Sequence, residues 1–181
     1  MKNLIAVRIL REQLKCNSSG IEKKQPGVYR WWFEAEEAKK ILAQLSLSPS
    51  ECDMIARKEI EGTEYWALYF GISSDMLARA KWHIAQEHKP SAVKHGTLST
   101  LRNTLGALLG KNMSKSMDIV NKFMDNNCYW EWEYNDDPAV VERAELSAES
   151  GKCYPLNIKS NKTVRSEVRK KLRDLRRKHK K

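Results

Sequence analysis

A chain of 181 residues is long enough to bury one sizeable core and short for two. No stretch approaches the roughly 18 apolar residues that a membrane span requires, and the start of the chain lacks the apolar core of a secretory signal. The expectation is therefore a cytoplasmic protein with no membrane partner. The formal charge of +10 is concentrated: residues 159–181 hold twelve lysines and arginines against Glu167 and Asp174, while residues 1–158 hold 21 basic and 21 acidic side chains.

A cluster of positive charge gains free energy by releasing the counterions condensed on a polyphosphate, which makes a polyphosphate the expected partner and an anionic membrane surface the weaker option. A plain solvated terminal helix is the bland reading of the same residues. The four cysteines, Cys16, Cys52, Cys128 and Cys153, are far apart and form no C-x-x-C pair, which argues for reduced thiols over a disulfide framework or zinc knuckle.

In chain order, residues 1–26 read as an N-terminal extension of unassigned role. "GVYRWWF" (27–33), aromatic and β-branched, predicts a strand. "EAEEAKKILAQLSL" predicts a helix from the spacing of Ala38, Ile41, Leu42 and Leu45, and Ser48 or Ser50 caps a second helix through Ile55. "EYWALYFGI" (64–72) predicts a second strand with Tyr65, Ala67 and Tyr69 on one face. Ser73 or Ser74 then caps a helix over about 75–86, which places Arg79 and His83 one turn apart. A loop containing His95 leads to a helix stopped at Gly110, and "SKSMDIVNKFMDN" predicts another. "CYWEWEY" (128–134) predicts a third strand; Asp137 and Pro138 open a helix through about Glu149. A last helix starts near Thr163, with Val164, Val168, Leu172 and Leu175 on one stripe. Three strands separated by helices predict a small α/β layer protein with one sheet.

Taken together, "GVY" (27–29), "YFG" (69–71), Arg79, His83, the acidic helix "VVERAEL" and "PLN" (155–157) resemble the GIY-YIG nuclease superfamily. Gly71, Leu77 and Arg79 match the family's Y-I-G-x-x-x-x-x-L-x-R pattern, and His83 and Asn157 fall where members carry a histidine and a closing asparagine. The resemblance implies a three-stranded, mainly antiparallel sheet flanked by helices. It divides the chain into the extension 1–26, a nuclease domain 27–158 and a basic helical tail 159–181. Tyr29 and Tyr69 are forty residues apart, farther than in the short family hairpin. Residues 34–62 are therefore read as a helical insertion at its tip, which costs little in closure entropy.

The resemblance also implies an endonuclease hydrolysing DNA with a single Mg²⁺ or Mn²⁺ held by a glutamate, and the first tyrosine as general base. A carboxylate is a suitable hard ligand for an ion that keeps most of its waters. Of the helix glutamates, Glu142 sits at the edge of an apolar stripe and is the first choice, with Glu145 the fallback. Arg79 offers a planar donor fork for phosphate. A tyrosine phenol ordinarily titrates at about pH 10, so Tyr29 needs a nearby cation or the metal's water to act as a base. Tyr69 orients water or phosphate, and His83 donates to phosphate or accepts a proton. Lys170, Lys171, Arg173, Arg176 and Arg177 are the candidate backbone-gripping residues. Two rival readings remain at this point: a binding module that keeps the fold without catalysis, and an assembly protein docking on RNA.

Overall fold

The computed structural model describes residues 3–110, 112–146, 151–158 and 163–180. Its elements run β1 (Asn3–Ala6), α1 (Val7–Lys15), β2 (Gly27–Glu34), α2 (Ala35–Ala43), α3 (Pro49–Asp53), β3 (Arg57–Ile60), β4 (Thr63–Ser73), α4 (Met76–Ile84), α5 (Pro90–His95), α6 (Thr100–Leu108), α7 (Met117–Asn127), β5 (Cys128–Tyr134), α8 (Pro138–Leu146) and α9 (Ser166–His179). The strands form a single antiparallel sheet in the order β1-β5-β2-β4-β3.

The sheet has five strands where three were expected. β1 was hidden because "NLIA" runs without a break into the helix that begins at Val7. β3, "RKEI", is a short charged edge strand with alternate residues exposed, a composition that discourages further edge pairing. It folds back on β4 through a turn at Glu61 and Gly62, so residues 34–62 contain a hairpin arm as well as helices.

β2 sits at the centre, between β5 and β4, and is buried along nearly its whole length. Tyr29, Trp31 and Phe33 point to the thicker layer, where α1, α2, α4, α6, α7 and α9 supply Leu10, Ile41, Ile84, Leu105, Met124 and Leu172. Burying each such large side chain contributes roughly 1.5–3 kcal/mol. Val28, Trp32, Tyr65, Ala67, Phe70 and Tyr154 form the core of the other face, against which Val141 of α8 packs. Arg30, buried on that face, meets Glu131 at 3.5 Å, and Lys58 reaches the same carboxylate at 2.6 Å.

One irregularity matters for the site. The β2–β4 register shifts between Trp31, opposite Tyr69, and Trp32, opposite Ala67. Leu68 is the extra residue, and such a bulge turns the residues after it. Tyr69 consequently joins Tyr29 in the thicker layer, while Tyr65 and Ala67 lie on the other face. Simple alternation, which put all three together, fails at this point.

The terminal segments are packed. Val7, Leu10, Leu14 and Ile21 lie in the main core, as do Val164, Val168 and Leu172. Arg165, just before α9, pairs with buried Glu51 at 3.0 Å. Among the described residues, no helix is long and apolar enough to cross a membrane.

Candidate active site

The outer edge of β4 runs short of partners toward its end. β3 covers Thr63–Trp66. Beyond it, the Leu156 amide bonds to the Leu68 carbonyl at 3.0 Å. Asn157 then acts as a substitute strand: its Oδ1 accepts from the Phe70 amide at 2.9 Å and its Nδ2 donates to the Phe70 carbonyl at 2.7 Å. Past that clamp, at Gly71 and Ile72, a cleft of about 530 Å³ opens. Tyr29, Tyr69, Arg79, Glu142 and Asn157 all line it, as do Gly96 and Thr100 from the start of the α6 region and Arg176 from α9.

Each side chain is aimed by a local cause. Tyr29 comes from the central strand and is only 2 % exposed, so little of it reaches the cleft. Gly71 makes room for it: a Cβ there would overlap the Tyr29 hydroxyl and Cζ. Asp75, rather than Ser73 or Ser74, caps α4 by accepting from the Ala78 amide at 2.9 Å. Arg79, one turn on, is half-buried with its guanidinium over the Trp82 ring, 4.6 Å from the centroid. Among the described residues it has no carboxylate partner. Glu142 is half-buried on α8, and no ion pair engages it among the described residues.

His83 does not join Arg79 on the cleft wall. It is fully buried behind Tyr29, with Nε2 at 2.7 Å from the Tyr29 hydroxyl and Nδ1 at 2.7 Å from the Ser99 hydroxyl. Both ring nitrogens are engaged, so direct donation to a phosphate in the cleft is not available to it. Arg102, itself buried, donates to the carbonyls of His83 (2.9 Å) and Ile84 (3.2 Å), which satisfies the end of α4 and fixes the ring's position. His95, the last residue of α5, is exposed and is not on the cleft.

Burial raises the Tyr29 phenol well above its ordinary value; the neighbouring Tyr69 adds to this and Arg79 opposes it. Tyr69 is raised for the same first reason, again against Arg79. His83 is lowered well below 6.5 by burial and then by Arg79 and Arg102. Both tyrosines therefore rest protonated and His83 rests neutral near pH 7.

A family model for the GIY-YIG catalytic domain matches residues 27–178. The chain belongs to the GIY-YIG family. The match runs on through α9, in keeping with that helix's place in the core of this GIY-YIG fold. Searches of curated proteins and of solved structures returned no match.

The donor set of this GIY-YIG cleft suits a hard divalent ion. Glu142 is a single carboxylate, and no group of three or more His, Cys, Asp or Glu side chains gathers among the described residues. A single carboxylate of this kind fits Mg²⁺ or Mn²⁺, which keeps several waters and takes few protein ligands. The side chain of Glu145, the fallback ligand, lies outside the described residues.

Sequence reasoning missed Ser99 and the reach of Arg176. Ser99 was legible only as the cap of α6, accepting from the Arg102 amide at 3.4 Å. Arg176 was one cation among twelve in its segment.

Proposed function

We propose that this protein is a divalent-metal-dependent endonuclease that hydrolyses phosphodiester bonds in DNA. The observation that carries the reading is the meeting, in one cleft, of a half-buried guanidinium and a half-buried carboxylate that do not pair with one another. A protein that needed neither for a ligand would gain by joining or solvating them.

Arg79 binds two non-bridging phosphate oxygens through its planar fork, with Trp82 holding the guanidinium in place. Tyr69, protonated at neutral pH, donates to a phosphate oxygen or to the attacking water. Tyr29 is the general base, acting through His83. With Nδ1–H donated to Ser99, the Nε2 lone pair accepts the phenolic proton as the Tyr29 oxygen takes one from water. The hydroxide so formed bonds to phosphorus as the P–O bond to the leaving oxygen breaks. That oxygen departs as an alkoxide and is protonated by solvent water, and the hydroxide left over recovers the proton from His83 through Tyr29. Neither tyrosinate nor imidazolium need exist beforehand; the imidazolium forms only transiently, because burial and then Arg79 and Arg102 disfavour it. Glu142 would hold a divalent ion, which when bound would supply Lewis-acid stabilisation of the charge developing on the phosphoryl group. Asn157 is a positioning residue: its carboxamide is occupied with the Phe70 backbone, between Tyr69 and Gly71.

The test incubates the protein with supercoiled plasmid, branched DNA and a structured RNA, each with Mg²⁺, Mn²⁺ or EDTA. Nicking or linearisation of DNA only with the metals is expected. Cleavage in EDTA would contradict metal dependence. Binding without cutting under either metal would favour the inactive module, and retention of RNA over DNA would favour RNA docking.

A further inference from the structure

The basic helix α9 is not uniform around its axis. Val168, Leu172 and half-buried Leu175 face the core. Arg173, Arg176, Arg177 and Lys180 follow i, i+3, i+4, i+7 spacing and line one flank, in a groove that shares Gly96, Ile158 and Arg176 with the catalytic cleft. Lys170, Lys171 and Lys178 lie on the other flank, beside Glu167 and Asp174, and Asp174 also pairs with Arg177. Arg176 stands at the junction of groove and cleft. It is half-buried, and no hydrogen bond or ion pair holds it among the described residues. Tyr69 lines the same cleft, and burial lowers the Arg176 pKa. Desolvating a guanidinium with no protein partner is costly, and an anionic ligand relieves that cost.

We propose that α9 completes the active site: Arg176 contacts a substrate phosphate inside the catalytic cleft, and Arg173, Arg177 and Lys180 carry the strand away from it, while Lys170 and Lys171 face off the path. This rests on the nuclease reading for its substrate, and extends it by giving the strand a direction and the cleft a second guanidinium. The groove's occupant is a phosphodiester backbone, because its polar lining is dominated by arginine and lysine and contains no carboxylate.

Binding and cutting are measured separately. A labelled DNA duplex is titrated in EDTA at several salt concentrations with wild type, Arg176→Ala, Arg176→Gln, Arg173→Ala/Arg177→Ala and Lys170→Ala/Lys171→Ala. Thermal melts confirm that each variant is folded. Each cleft-side charge removed should weaken binding several-fold and flatten the logarithmic salt slope by about one, with less than about a twofold effect from the lysine pair. Equal losses from both flanks, or a larger loss from the lysines, would overturn the strand path. In single-turnover cleavage at saturating protein, both Arg176 variants should be slowed by about tenfold or more; wild-type speed would remove Arg176 from the reacting phosphate. If wild type cuts nothing, the nuclease reading fails by itself, and the affinity pattern in EDTA still decides the path.

Discussion

The Tyr29 hydroxyl lies 2.7 Å from Nε2 of His83, in a pocket where the histidine is wholly hidden and the tyrosine shows only 2 % of its surface. Arginine and histidine one turn apart on α4 thus do different work. Arg79 faces the cleft, and His83 stands behind Tyr29.

From this follows a graded set of activity losses. Tyr29→Phe should remove cleavage to near background while leaving the fold intact, since the ring still fills its place. His83→Gln should lower the cleavage rate by about 10²–10⁴-fold with DNA affinity unchanged, the usual worth of a positioned acid–base group. Rate constants at saturating protein, beside a binding isotherm, check both.

Stability should respond to mild acid in a defined direction. Burial, then Arg79 and Arg102, lowers His83 well below 6.5; burial, then Arg102, lowers His88 to about 4. In each case the unfolded chain takes up its proton first as pH falls, so the folded state loses its advantage. The stability these groups contribute is full above about pH 6.5 and declines from there toward pH 4 for His88, and further for His83. The urea midpoint should therefore drop between pH 6.5 and 5, less steeply in His88→Gln. A midpoint that rises over that interval would contradict the assignment.

Asn157 and Gly71 should be sensitive for structural reasons. Asn157→Ala strands the amide and carbonyl of Phe70 at a buried edge, at a cost of about 1–3 kcal/mol for each group left unpaired. Gly71→Ala drives a methyl into the Tyr29 ring, and overpacking of this kind costs about 1–3 kcal/mol. Thermal unfolding should register both, and activity should fall further than stability because Tyr29 and Tyr69 flank the disturbed backbone.

Removing the basic C-terminal segment should unfold the protein rather than merely weaken its grip. Leu172 is fully buried, and Leu172→Ala should cost about 2–5 kcal/mol. Deleting residues 159–181 takes Val164, Val168 and Leu172 from the core together. A truncated chain that melts at the wild-type temperature would refute the packed position of α9.

Much of this fold was readable because its central strands are short, aromatic and bounded by clear turn residues. "GVYRWWF" and "CYWEWEY" became β2 and β5 almost to the residue. β3 was not legible because "RKEI" is an edge strand with little to bury. The faces of β4 were misjudged past Leu68, since a bulge depends on the partner strand and leaves no local signature. The motif order pointed to the residues that share the cleft, but not to depth: nothing in the spacing of Arg79 and His83 says that one faces solvent and the other a phenol. Charge counting, likewise, marked α9 as a tail, while the stripe through Val168 and Leu172 held the information that it packs.

The central claim is that Arg79 and Glu142 serve one phosphate in one cleft. It is tested most directly by single-turnover cleavage of end-labelled DNA with Mg²⁺ by wild type, Arg79→Ala and Glu142→Ala, each verified as folded and DNA-binding. Wild type should cut, and each variant should lose about 10²-fold or more in rate, as when a charge-stabilising group leaves an active site. Cleavage that persists near the wild-type rate in both variants would contradict the account.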